Sequence, residues 1–180
     1  MDDKGQKDLT QSRAVLEMLL VANEYCVFME KVESSNMEKV VSFFVKIAPL
    51  LYLRGNLLPD AQPESDFIAD RYVTEEQWEE VFKSLRKVFG PNDVYFSLND
   101  THDTIETSLS DNLSDIYQDL KDFVMVYQKN TFASRMNALT QVRFLFFERW
   151  GKVLLHALLA CHNLSLKQTS TIDDDFEDAW

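Results

Sequence analysis

The chain has 180 residues, of which 46% are hydrophobic, and it carries a formal net charge of −12 at pH 7. This length and composition predict a single globular domain and exclude a disordered chain. The negative charge disfavours nucleic acids and anionic membranes as partners, because both present phosphate groups.

Apolar residues recur at helical spacing along most of the chain, and this periodicity predicts five long helices. Their expected ranges are about 10–33, 36–54, 74–90, 108–129 and 133–166. We therefore expect an all-α, bundle-like domain over residues 9–166. The first helix is apolar around most of its circumference, which predicts a central position. The connector at 92–103 has no clear assignment, although a short extended piece would fit it.

Local signals refine several of these helices. Thr74 is the predicted N-cap of the third helix, and Gln77 is its partner in a capping box. In the second helix, Pro49 is expected to cause a bend because it removes a backbone donor, and Gly55 is expected to end the helix. We expect a kink at Gly151 in the fifth helix.

Residues 167–180 form an acidic tail, which we expect to be mobile because like charges resist packing. The tail also carries Phe176 and Trp180. Two interpretations stay open: the tail keeps the protein soluble, or it docks into a basic groove of a partner.

The first ten residues lack a basic region followed by an apolar run, so we expect no signal peptide. No stretch of about 18 uncharged apolar residues occurs, so we expect no membrane span. Cys26 and Cys161 lie within apolar helical patterns and are expected to be buried thiols, which fits a cytoplasmic protein. No cysteine or histidine spacing suggests zinc, and no cofactor is expected.

Four aspartates, Asp111, Asp115, Asp119 and Asp122, recur at helical spacing in the fourth helix. With about 100° of rotation per residue, they lie within roughly 80° of Asp111, and apolar residues occupy the opposite side. We therefore expect them to face outward, as a solvated stripe or as a docking surface for a basic protein. A metal site is disfavoured, because bundle metal sites use inward carboxylates with Glu-x-x-His pairs, and this sequence contains no such pair.

Three stretches resemble one known family. They are LSDNLSDIYQDLKDF (109–123), FFERWGKVLLHALLACHNL (146–164) and RYVTEEQWEEV (71–81), and they resemble domain of unknown function 5063, a family of uncharacterised bacterial proteins. The likeness covers most of residues 10–165. It implies an all-helical, cytoplasmic bacterial domain, and it transfers neither an activity nor functional residues to this chain.

Two alternative functions involve other residues. Arg149 and His156 are separated by six residues, which resembles the motif of the HEPN family of helical ribonucleases, where such a pair acts by charge stabilisation and proton transfer. The acidic composition argues against RNA binding here. The other alternative is a bundle enzyme or small-ligand binder with an interhelical pocket formed by Glu17, Glu24, Arg149 and His156, because a buried carboxylate in an apolar helix would have a shifted pKa.

The motifs of this sequence include no convincing pairing of a nucleophile with a base, no glycine-rich phosphate loop and no metal-binding spacing. The sequence therefore predicts a non-enzymatic helical module that binds another protein, with the acidic residues of the fourth helix, the tail, or both forming the contact.

Overall fold

The computed structural model describes residues 8–62, 71–99 and 101–177, with side chains as far as Lys167. Its helices are α1 (Arg13–Met29), α2 (Met37–Asn56), α3 (Glu75–Phe89), α4 (Leu109–Gln128), α5 (Phe132–Leu145) and α6 (Gly151–Glu177). A π-helical segment, Phe146–Trp150, joins α5 to α6 without a break. The predicted all-α class is confirmed, and α5, the π segment and α6 correspond to the predicted fifth helix.

The connector between α3 and α4 contains a small antiparallel sheet. Strands β1 (Val94–Leu98) and β2 (Thr104–Ser108) pair as a hairpin, with Val94 opposite Ser108 and Leu98 opposite Thr104. The sequence suggested a short extended piece here but not the pairing.

Helix α4 is the central helix of the fold. It packs against α1, α3, α5 and α6, and thirteen of its residues are buried. Helix α1 instead has one exposed face, on which Leu16 is 43% and Leu20 is 71% exposed. The prediction of a central first helix was wrong because these outward leucines made α1 apolar on nearly every side.

Of the predictions made from local sequence signals, the one for the start of α3 is confirmed and the one for the end of α2 is wrong. The capping box is confirmed: Thr74 Oγ1 accepts from the Gln77 backbone N–H at 3.2 Å, and Gln77 Oε1 accepts from the Thr74 N–H at 3.1 Å. Helix α2 continues through Pro49 and past Gly55 to Asn56. Gly55 therefore does not end the helix.

Gly55 has a packing role instead. A β-carbon at this position would lie 2.7 Å from ring atoms of both Phe146 and Trp150. The glycine thus allows α2 to approach the π segment closely. Gly151 directly follows that segment, so the departure from α-helical geometry lies beside the expected kink.

Helix α6 extends to Glu177, beyond the predicted helix end at residue 166. The side chain of Phe176 and all of Trp180 lie outside the described residues, so the mobility of the tail stays a prediction. Within the described ranges, none of the helices combines the length and apolar character that a membrane span requires.

Candidate functional site

The four aspartates of α4 do not share one environment. Asp111 is exposed, and Asp115 is half-buried and accepts a hydrogen bond from Trp78 Nε1 at 3.1 Å. Asp119 and Asp122 are each only 2% exposed. The expectation of an outward-facing stripe was therefore wrong for Asp119 and Asp122.

Asp119 is buried and is paired with a half-buried cation from the π segment. Both of its carboxylate oxygens accept hydrogen bonds from the Arg149 guanidinium, one of them from Nε at 2.9 Å. Arg71 adds a more distant positive charge, 3.9 Å from Asp119 and 3.8 Å from Asp122. The carboxylate thus joins α4 to the π segment and to the segment before α3.

Asp122 holds the chain that leads into α3. Its Oδ1 accepts hydrogen bonds from the backbone N–H groups of Tyr72 and Val73, at 2.8 and 2.9 Å. These N–H groups precede the capped start of α3, where no helical carbonyl can accept from them. The carboxylate therefore replaces backbone acceptors that the fold does not supply.

Burial alters the acidity of this cluster. It raises the pKa of both Asp119 and Asp122 above the usual range, although Arg149 and the backbone donors oppose the shift. For Arg149, burial alone would lower the pKa, but the hydrogen bond to Asp119 raises it overall. Since Asp119 and Asp122 bind protein groups, the cluster stabilises the fold and leaves Asp111 as the exposed member of the predicted docking surface.

The other predicted residues do not converge. Glu17 lies 2.7 Å from Arg13 and 2.6 Å from Arg54, and Glu24 is exposed. Of the proposed pocket residues, His156 alone lines the groove described below. Among the residues that the structure describes, no group of three or more histidine, cysteine, aspartate or glutamate side chains could hold a metal ion.

Asp93, which the sequence interpretation missed, fixes the hairpin to the first turn of α4. Its carboxylate accepts hydrogen bonds from the Ser110 backbone N–H at 2.7 Å, the Ser110 hydroxyl at 2.8 Å and the Ser108 hydroxyl at 2.9 Å. Arg86 lies 3.6 Å away. Because Asp93 directly precedes β1, these bonds set the position of β1 beside the bundle.

A groove of about 650 Å³ separates β1 from α6, and we call it the β1–α6 groove. Its apolar lining includes Val94, Phe96, Leu98, Leu109, Leu159 and Leu164. Several of these are unusually exposed for their size, with Phe96 at 69% and Leu159 at 62%. Exposed apolar surface that is gathered in one concave place is typical of binding sites.

Polar groups are sparse in the β1–α6 groove. Its described polar lining residues are Asn92, Ser97, His156, Asn163 and Lys167, with the Tyr95 hydroxyl held by Asn112. Burial raises the pKa of Tyr95 to about 12, so this phenol stays neutral at physiological pH. No carboxylate occurs among the described lining residues, although the chain as a whole carries a charge of −12.

Comparison with known proteins identifies the family. A family model described as "Domain of unknown function (DUF5063)" matches residues 10–167. The crystal structure of protein BF1032 from Bacteroides fragilis is similar at 32% sequence identity, with a TM-score of 0.79 over 87% of this chain and 94% of the other. No curated protein matches the chain. The family match spans the aspartate cluster, the hairpin and the groove, and the chain therefore belongs to the DUF5063 family.

Proposed function

We propose that this protein is a non-enzymatic binding module that holds a segment of another protein in the β1–α6 groove. The groove itself is the observation that carries the proposal. Its volume is within the roughly 300–1,000 Å³ range of ligand sites, and its walls expose large apolar side chains to solvent. Apolar burial in such a site would supply most of the binding free energy.

The shape of the groove favours a polypeptide over a compact metabolite. One wall is the whole length of β1, and the other extends along α6 from His156 to Lys167, which is about three helical turns. A long cleft with few polar groups matches a chain segment that contributes several side chains. A compact metabolite would contact only part of a cleft of this length.

The contacts of the alternative catalytic residues support binding over catalysis. Arg149 is bound to Asp119, and Glu17 is paired with Arg54. Both groups therefore hold helices together at places other than the groove, and His156 lines the groove without either of them. This arrangement gives less support to the interhelical enzyme and to the HEPN-like ribonuclease.

A basic protein partner stays a second proposal on a smaller set of residues. Asp111 is exposed near Glu106, and both residues line a shallow depression beside the hairpin. Burial raises the pKa of Asp111, and the negative field of the neighbouring carboxylates Asp115 and Asp93 raises it further, although Arg86 also lines the depression. A cation from a partner would relieve that field.

We also propose a bacterial, cytoplasmic setting. The two cysteines are free and buried, which suits a reducing compartment, and a similar chain comes from Bacteroides fragilis. Finding the protein in the cytoplasmic fraction of bacterial cells would test this setting, and finding it in the periplasm would contradict it.

The binding proposal can be tested with random peptides about eight residues long, enough to span the five residues of β1. Displayed peptides are selected on the wild-type protein, and the most enriched one is synthesised with a fluorescent label. We expect Leu159→Glu to weaken its binding at least about ten-fold, because a charge replaces apolar contact in the groove.

Leu20→Glu is the matched control for this measurement. Leu20 is also an exposed leucine on a helix, but it lies on α1 and does not line the groove. It should leave the peptide affinity unchanged. If no peptide is enriched, or if both variants bind the peptide as tightly as the wild type does, the groove is not the binding site.

A further inference from the structure

Strand β1 has an unpaired edge beside the groove. The sheet has two strands, and within residues 8–62, 71–99 and 101–177 no third strand pairs with β1. Edge strands of this kind are templates for an added strand, and proteins usually protect them with charge, proline or a covering element. In β1 the sequence is VYFSL, which has neither a charge nor a proline.

The register shows which backbone groups the free edge presents. The Leu109 N–H donates to the Asp93 carbonyl at 2.8 Å, and the Asn99 N–H donates to the Asp103 carbonyl at 3.0 Å. In an antiparallel ladder these two bonds place the backbone N–H and C=O groups of residues 93, 95, 97 and 99 toward β2. The N–H and C=O groups of Val94, Phe96 and Leu98 therefore point away from β2, toward the unpaired edge.

The groove lies along this same edge, because all five residues of β1 line it together with one face of α6. A strand added to β1 would project alternate side chains to opposite faces of the sheet. One set of its side chains would point into the groove toward Leu159 and Leu164. The other set would lie beside the exposed side chains of Val94 and Phe96. Both sets would meet apolar surface.

Charge indicates the kind of segment that would fit. The described lining carries His156 and Lys167 and no carboxylate, so acidic residues beside the apolar positions would meet no like charge among the lining side chains that the structure describes. A second copy of this chain is a poorer occupant, since two bodies with a formal charge of −12 repel each other.

We infer that the groove binds an extended segment of a different protein by strand addition to β1, and that this segment is apolar at alternate positions with acidic residues at its flanks. The inference rests on the proposed function and adds the binding mode and the chemistry of the partner. Backbone hydrogen bonds to Val94, Phe96 and Leu98 would supply sequence-independent affinity, and the alternating pockets would supply selectivity.

The first test uses the peptide selected on the wild-type protein. Each of its backbone nitrogens is methylated in turn, and the affinity of each derivative is measured by fluorescence anisotropy. In strand addition every second N–H bonds to β1, so we expect losses of at least about ten-fold that alternate with small effects. A pattern without this two-residue period overturns strand addition, while Leu159→Glu still tests whether the groove binds at all.

The second test removes a donor from the protein. Phe96→Pro deletes an N–H that faces the free edge and spares the bonds to β2, and proline is tolerated at such edge positions. Phe96→Ala removes the ring but keeps the N–H, so it is the matched control. We expect Phe96→Pro to bind the peptide at least about ten-fold more weakly than Phe96→Ala, with circular dichroism showing that both are folded.

Equal affinities of the two folded variants would overturn the inference. The selected peptides must also share alternating apolar positions and flanking acidic residues, and a consensus with flanking lysines or arginines overturns the proposed partner chemistry. Sedimentation of the wild-type protein addresses the second copy: a dimer that Phe96→Pro dissociates and Phe96→Ala preserves would show that β1 pairs with itself, against the inference of a different protein.

Discussion

Asp122 connects two segments that are far apart in the sequence, and its contribution to stability can be measured. Asp122→Ala would remove the carboxylate that accepts from the part-buried Tyr72 N–H and the buried Val73 N–H, which should cost about 2–4 kcal/mol of unfolding free energy. Asp122→Asn keeps an oxygen at the same position and should cost less than half as much. Urea unfolding of both variants gives the comparison, and equal losses would show that the backbone hydrogen bonds are not the cause.

The same carboxyl group should make stability depend on pH. Burial raises its folded-state pKa above the ordinary value of 3.8, against the opposing backbone hydrogen bonds. Its contribution to stability is therefore fully present below pH 3.8 and is lost as the pH rises through the higher folded-state pKa. We expect the stability of the wild type relative to Asp122→Asn to decrease as the pH rises above 3.8, measured by urea unfolding at a series of pH values. An increase would mean that the folded-state pKa is lowered.

Helix packing at Gly55 gives a prediction at the scale of elements. Gly55→Ala would place a methyl group 2.7 Å from ring atoms of Phe146 and Trp150. Although alanine favours helices, the overpacking should dominate and cost about 1–2 kcal/mol. Thermal and urea unfolding would measure the loss.

Phe146→Leu provides the control, because a smaller side chain leaves room for the new methyl group. In that background Gly55→Ala should cost less than it does in the wild type, which a double-mutant cycle reports as a coupling between the two positions. Additive losses would place the origin of the effect elsewhere in α2.

Elements were predictable where their signals are local. Thr74 and Gln77 are three residues apart, so the sequence contains the whole capping box. Asp119 differs because its partner, Arg149, lies thirty residues away on another helix. A rotation of about 100° per residue separates the aspartates from the apolar face of α4, but it cannot show that α3 and the π segment cover the other face as well.

The groove was harder to predict than the helices. Val94, Phe96 and Leu98 alternate with Tyr95 and Ser97, which is a strand pattern, but β1 is only five residues long. The groove forms only because α6 lies opposite β1, and the α6 residues that line it come about sixty positions later in the sequence. No local pattern reports that contact, so the sequence directed attention to the acidic helix instead.

At the scale of the whole molecule, the ion pair that stabilises the fold and the groove that we propose as a binding site lie in different regions around α4. The ion pair of Asp119 and Arg149 holds α4 to the π segment, whereas the groove uses the hairpin and part of α6. A substitution in the ion pair should therefore lower stability and leave peptide affinity unchanged, and a substitution in the groove should do the reverse. Arg149 and Leu159 provide the pair of positions for this comparison.

Arg149→Met would leave Asp119 buried without its main partner, and the partial exposure of the arginine moderates the loss to about 1–3 kcal/mol. Peptide affinity should stay within about two-fold, because Arg149 does not line the groove. Leu159→Glu should do the reverse, with stability within about 0.5 kcal/mol of the wild type and peptide affinity at least about ten-fold weaker. Both quantities are measured for each variant under conditions where it is folded. If folded Arg149→Met loses peptide affinity as Leu159→Glu does, the ion pair of Arg149 and Asp119 is part of the functional site and the separation of stability from binding is wrong.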